Sequence, residues 1–256
     1  VINGKFLGTQ GDVGFFSLGR GKAFSTVEGG VIVADDDTIA EHIESELQKL
    51  PPQTIAHKLK LRAYALALTI LMKPSLFWMP KALPGLKLGE TIYDPQFHMH
   101  QFSPFQAGLA GDWQPRLAAM QKARKDNVQF WQKALPRFSW LKPIAGLSQA
   151  PHALPLIRYP VMVENSGLRR ALLESSEKHG LGIMPTYPDS IEGIEGLELV
   201  NSGDSFPGAK ECARRLVTFP VHSYVTAKDR RRIIEQIEKI EKDRRLLSTN
   251  HTNDHE

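Results

Sequence analysis

Apolar positions in the first part of the chain come in two short runs, Val13–Phe16 and Val31–Val33, separated by glycine and short polar residues from Ser17 to Gly30. Aromatic and β-branched runs of this length predict buried strands. The glycine-rich connection makes them a hairpin-like element that presents its loop to solvent or ligand. Asp35-Asp36-Asp37 supplies acid at a helix start, and Ile39, Ile43, Leu47 and Leu50 follow at helical spacing until Pro51-Pro52. A strongly apolar stretch occupies 58–79. Its uncharged run from Ala63 to Met72 is too short to cross a bilayer, which takes about 20 apolar residues. A buried helix, a subunit interface and a peripheral membrane contact stay open for it.

Pro104 predicts the start of a long helix carrying Phe105, Leu109, Trp113, Leu117 and Met120, bent or broken at Pro115 and resuming through Val128, Trp131 and Leu135. Sequence from Pro136 to Pro155 reads as a linker. The pattern then alternates. Leu156–Val163 reads as a strand. A helix capped by Asn165 or Ser166 stops at Gly180, and Ile183-Met184 makes a short strand. Pro207 opens a helix through Cys212 and Leu216, Val217–Val221 forms another strand, and Thr226 with Asp229 starts a last helix before a frayed polar tail from Ser248.

Composition is that of an ordinary folded protein, with 41% hydrophobic and 23% charged residues. The net charge of +4 suits an anionic small ligand but is too small and scattered for nucleic acid. The single cysteine, Cys212, excludes an internal disulfide and fits a reducing, cytoplasmic compartment; its helical neighbours predict a buried structural thiol. His98 and His100 alternate on a predicted strand, and without a third ligand nearby in sequence the expectation is no metal site.

Lys22, in its glycine-flanked loop, is the candidate for chemistry. A nucleotide-binding loop needs G-x-x-x-x-G-K-[ST], but Phe16 holds the first glycine position and Ala23 follows the lysine. A lysine in a desolvated pocket can instead become nucleophilic toward an aldehyde. Spacing alone leaves this open against an ordinary surface lysine.

The surrounding residues add a resemblance. Gly11-Asp12-Val13-Gly14-Phe15-Phe16-Ser17, then Lys22, then Glu28-Gly29-Gly30 ahead of Val31-Ile32-Val33 resembles the cofactor-lysine segment of the DegT/DnrJ/StrS sugar aminotransferases. Ser103-Pro104-Phe105-Gln106-Ala107 is similar to that family's S-x-x-Q-A helix opening, and Arg124 falls near its basic R-R segment. Leu172 through Tyr187-Pro188 and Phe219-Pro220-Val221-His222 match two later landmarks in order. The resemblance implies an α/β fold, the C-terminal part of a fold-type I transferase dependent on pyridoxal 5'-phosphate. Residues 1–135 would close the large domain, with an apolar insertion at about 58–90, and 136–247 would form the small α/β domain ahead of a disordered tail at 248–256. It implies that Lys22 is catalytic and carries the cofactor, that Ser17 contacts the cofactor phosphate, and that the enzyme is a homodimer. The implied reaction moves an amino group, usually from glutamate, onto a keto-sugar linked to a nucleotide, in amino-sugar or polysaccharide biosynthesis. Lys22 also argues against the family's dehydratase type, in which the lysine is replaced. A non-catalytic or membrane-peripheral relative is the alternative.

Three departures go with the resemblance. The family's pyridine-nitrogen carboxylate, stacking aromatic and phosphate loop lie well upstream of the lysine, where only 21 residues stand here, so a truncated and by itself inactive chain is expected. Met99-His100-Gln101-Phe102 replaces N-Y-R-M, removing the asparagine that reaches the neighbouring subunit's cofactor phosphate. Thr186 replaces the histidine before Tyr187-Pro188.

Overall fold

The computed structural model describes residues 4, 6–71, 96–144, 146, 154–185, 189–194, 197 and 206–253. The chain divides into two compact units, the first built from described residues up to Ala118 and the second from Ala119 onward. The second half of the apolar stretch, Leu88 to Thr91, and Thr186-Tyr187-Pro188 all lie outside the described residues.

In unit 1, strands β1 (Val13–Ser17) and β2 (Gly30–Ala34) pair antiparallel, with Val13 opposite Ala34 and Ser17 opposite Gly30. The hairpin is as the pattern predicts, but the burial is not. Phe15 is 67% exposed, and Val13, Phe16, Val31, Ile32 and Val33 are exposed as well, since both faces of the ribbon lack a covering layer among the described residues. Helix α1 (Asp37–Gln48) starts where Asp36 accepts the Ile39 amide at 2.9 Å. Helix α2 (Ile55–Leu71) buries Leu61. Helix α3 (Pro104–Ala110) begins at a Ser103–Gln106 capping box and ends at Gly111.

Helix α4 (Trp113–Ala134) follows after Asp112, whose φ of 50° breaks the helix. The interruption therefore precedes Pro115, which sits in the first turn of α4, where its missing amide costs little. Arg124, Asn127, Val128 and Trp131 form the buried stripe of α4 at i, i+3, i+4, i+7 spacing.

Unit 2 is a four-stranded sheet in the order β3-β4-β6-β5, formed by Leu141–Pro143, Arg158–Val163, Leu216–Pro220 and Met184–Pro185 for β3, β4, β6 and β5. All its pairings are antiparallel. Tyr159, Val161 and Val163 alternate inward along β4 and join Trp131, Leu135, Trp140, Leu172 and Phe219 in one core. Helix α5 (Ser166–His179) is capped by Asn165 and stopped by Gly180 at φ 61°, where the Leu181 amide returns to the Ser176 carbonyl at 3.0 Å. Helix α6 (Pro207–Arg215) carries Cys212, which is exposed; the predicted buried thiol is wrong because its side chain projects from the solvent side of a short, strongly polar helix. Helix α7 (Ala227–Asn253) buries Ile233 and Ile237 and stays helical beyond Ser248.

Candidate active site

The Ser17–Gly30 connection is an ordered loop built on backbone contacts. Past the strand pair, the Leu18 amide donates to the Gly29 carbonyl at 2.8 Å and the Thr26 amide to the Leu18 carbonyl at 2.9 Å, which closes its base. On the β1 side of the loop the Ser17 hydroxyl accepts the Gly19 amide at 3.2 Å, and the Lys22 amide reaches the Gly19 carbonyl at 3.4 Å. Gly21, at φ 79°, takes the left-handed conformation this turn requires. Ser17 and Lys22 thus belong to one tight turn, and both are exposed.

The base of the loop is held by a buried polar hub that sequence reasoning missed. The Gln106 side-chain amide donates to the Glu28 carbonyl at 2.9 Å, and the Thr26 hydroxyl donates to the same carbonyl at 2.7 Å. The Gln106 oxygen accepts from Gln53 at 2.7 Å, from the Ser103 amide at 3.1 Å and from the Ser103 hydroxyl at 3.0 Å. Thr26, Gln53, Ser103 and Gln106 are all buried. Between Thr26 and Glu28 sits buried Val27 at φ 76°, an unusual conformation for a β-branched residue, which the hub and the Ser25 hydroxyl hold in place. Next to it, a side chain on Gly29 would meet the Phe102 ring at 2.9 Å. The glutamine three residues after Ser103 was a readable cap signal; nothing in the sequence pointed to Gln53.

Glu28 turns its carboxylate to His57, 3.3 Å away. His57 stacks on His100 with ring centroids 5.3 Å apart, and His98 meets His100 edge-on at 6.5 Å. Residues 96–102 form no strand, correcting the predicted strand; the Gln101 amide donates to the Pro51 carbonyl and its side chain to the Gln48 carbonyl. Among the described residues no group of three ligating side chains is arranged to hold a metal ion.

The residue chemistry of the Ser17–Lys22 segment fits pyridoxal phosphate in kind. A primary amine can hold its aldehyde carbon, a hydroxyl can donate to a phosphate oxygen, and a side chain built on Gly21 would meet nothing within 4 Å, so the turn is open.

The sequence profile of the DegT/DnrJ/EryC1/StrS aminotransferase family matches residues 1–61 and 99–238. A comparison with curated protein sequences found no match. Among solved structures the chain is similar to Helicobacter pylori PseC, an aminotransferase involved in the biosynthesis of pseudoaminic acid, at 14% identity and a TM-score of 0.65, over 94% of this chain and 56% of that one. It is also similar to the aminotransferase TlmJ from Streptoalloteichus hindustanus at 20% identity and a TM-score of 0.61, over 93% and 54% of the two chains. A third similar structure is the E. coli GDP-4-keto-6-deoxy-D-mannose-3-dehydratase with bound hydrated PLP, at 15% identity and a TM-score of 0.55, over 92% and 57%. The chain spans little more than half the length of these structures.

Proposed function

Since the chain belongs to the DegT/DnrJ/EryC1/StrS aminotransferase family, we propose that it supplies the cofactor lysine of a sugar aminotransferase, with Lys22 as that residue. The observation that supports this reading is the ordered turn in which the Ser17 hydroxyl and the Lys22 backbone amide both bond to Gly19, on a loop whose base Gln106 anchors. When bound, pyridoxal phosphate supplies an electron sink for the carbon next to the transferred nitrogen. Lys22 would hold the cofactor through its side-chain amine, and that amine would serve as the base that carries a proton to and from the substrate carbon. Ser17 would orient the phosphate by donating a hydrogen bond, for which its hydroxyl proton is available while its oxygen accepts from Gly19. The walls that exclude water from Lys22 would come from a second subunit of a homodimer. The proposed substrates are a nucleotide-linked keto-sugar and an amino acid such as glutamate, in a cytoplasmic pathway of polysaccharide or amino-sugar biosynthesis. Lys22 favours transamination over the dehydration named for the E. coli neighbour.

Borohydride reduction after incubation with pyridoxal phosphate tests the lysine directly. The expected result is a cofactor-mass adduct on the Lys22 peptide of the intact chain and its loss in Lys22→Ala. Equal labelling of many lysines, unchanged by the substitution, would sink the proposal.

A second reading has an observation of its own. Ile55, Leu59, Leu66 and Ile70 are exposed along one stripe of α2, with Ile55 at 77%. Among the described residues no helix is long and apolar enough to cross a membrane. A membrane-peripheral relative would dock through this stripe. Co-sedimentation with anionic vesicles, abolished by Leu59→Glu with Leu66→Glu, would favour it.

A further inference from the structure

Two arginines and a histidine gather at one end of the unit 2 sheet, and among the described residues no acid pairs with either arginine. Arg158 opens β4 opposite Pro220. Its guanidinium donates to the Thr218 hydroxyl at 2.7 Å and to the carbonyls of Gly182 and Thr218, all of them neutral acceptors. His222 lies two residues past the end of β6, where its carbonyl accepts from Asn127 at 3.2 Å. Arg124 stands one helical turn before Asn127 on α4, only 6% exposed, with Nη1 buried and without a hydrogen-bond partner among the described residues. Among the described residues neither Arg124 nor Arg158 forms an ion pair.

A guanidinium shut away from water with an idle donor is unfavourable unless an acceptor arrives, and a negative one suits it best. The electrostatics agree. Loss of hydration lowers the His222 pKa first, and the charges of Arg158 and Arg124 lower it further. The acid that acts the other way on His222 is Asp229. Its Oδ2 is already taken by the Thr226 amide at 2.9 Å and hydroxyl at 2.6 Å. The three groups grade from exposed His222 through half-buried Arg158 to buried Arg124, so the His222 end of the group faces solvent.

We propose that Arg124, Arg158 and His222 form a binding site for an oxyanion, a carboxylate or a phosphate group carried by a small molecule. Arg124 Nη1 supplies the desolvated, charge-assisted hydrogen bond, Arg158 adds a second positive charge, and His222 closes the rim. The site uses groups of unit 2 alone and stands whether or not Lys22 carries a cofactor.

The test uses the full chain with inorganic phosphate, with L-glutamate, and with sodium chloride at matched ionic strength. Saturable binding of phosphate or glutamate by calorimetry, weakened about tenfold or more in Arg124→Gln and in Arg158→Gln, is the expected result. Preference for phosphate would identify the ligand as a phosphate ester, and preference for glutamate would identify it as a carboxylate. No saturable binding of either anion, or equal affinity in wild type and Arg124→Gln, overturns the proposal. Should Arg124→Gln fail to fold, the His222 ring titration in the wild type decides by nuclear magnetic resonance. Against the fixed surroundings of Arg124, Arg158, Asp229 and the edge-on Tyr224 ring, a bound anion must raise the His222 pKa. An unchanged titration with either anion at high concentration also overturns it.

Discussion

Units 1 and 2 are held together by different kinds of interaction. Unit 2 has an apolar interior in which Trp131, Trp140, Tyr159 and Phe219 are essentially inaccessible and every strand of the sheet has a partner. In unit 1 the buried apolar side chains among the described residues are Val27 and Leu61, and its best-formed buried feature is the Gln106 hub. Two-stranded ribbons are marginal by themselves, because they bury too little to offset chain entropy. The contrast teaches that the loop carrying Lys22 is shaped by polar contacts near its base, while the ribbon that presents it contributes little burial. Unit 2 can therefore be stable where unit 1 depends on a few hydrogen bonds.

Breaking the core should give the largest effect. Trp131→Ala removes a fully buried ring and its 2.9 Å bond to the Pro220 carbonyl, and a loss of about 3–5 kcal/mol is expected in urea unfolding. Gln106→Ala removes the Glu28 carbonyl's second donor and strands Gln53 and both Ser103 groups, with an expected cost of about 2 kcal/mol. That cost should appear as faster amide exchange at Leu18 and Thr26, with unit 2 amides unchanged. A global loss of protection would contradict the contrast.

The α7 cap gives a smaller, pH-dependent effect. Partial burial pushes the Asp229 carboxyl up, but the two Thr226 hydrogen bonds and the charges of Arg232 and His222 outweigh it and hold the group below its usual range. A depressed folded pKa means the contribution is complete above the ordinary aspartate value of about 4 and fades as pH falls below it. Thr226→Ala should cost about 1 kcal/mol at neutral pH and less at pH 2, where the carboxylate's share is lost while the Asp229 amide still bonds the Thr226 hydroxyl, measured by thermal unfolding across pH. The smallest effect belongs to the ribbon. Phe15→Ser should change stability by no more than about 0.5 kcal/mol while reducing binding of an apolar dye.

Much of unit 2 was legible because its signals are local. Asn165, Gly180 and the Thr226–Asp229 pair are caps readable over four residues, and inward alternation marks β4. The hairpin of unit 1 was equally plain, yet its burial was not, since burial depends on what lies across from a strand and apolar residues alone do not reveal that. The Ser17–Lys22 turn followed from its glycines. What stayed hidden arises between residues far apart in sequence: Gln53 meeting Gln106, His57 arriving beside Glu28 and His100, and Arg124 left without an acceptor beside His222. The break before α4 was placed at Pro115 because proline is the usual breaker, whereas Gly111 and Asp112 end the preceding helix first.

The exposed sulfur on α6 makes this chain convenient to instrument. With Cys212 as the sole cysteine, a maleimide dye or spin label attaches at one place in the wild-type sequence, without any replacement to clear competing thiols. A reporter there sits on the helix that leads directly into β6, so it can register anion titrations, or the melting of that sheet, in the unaltered polypeptide.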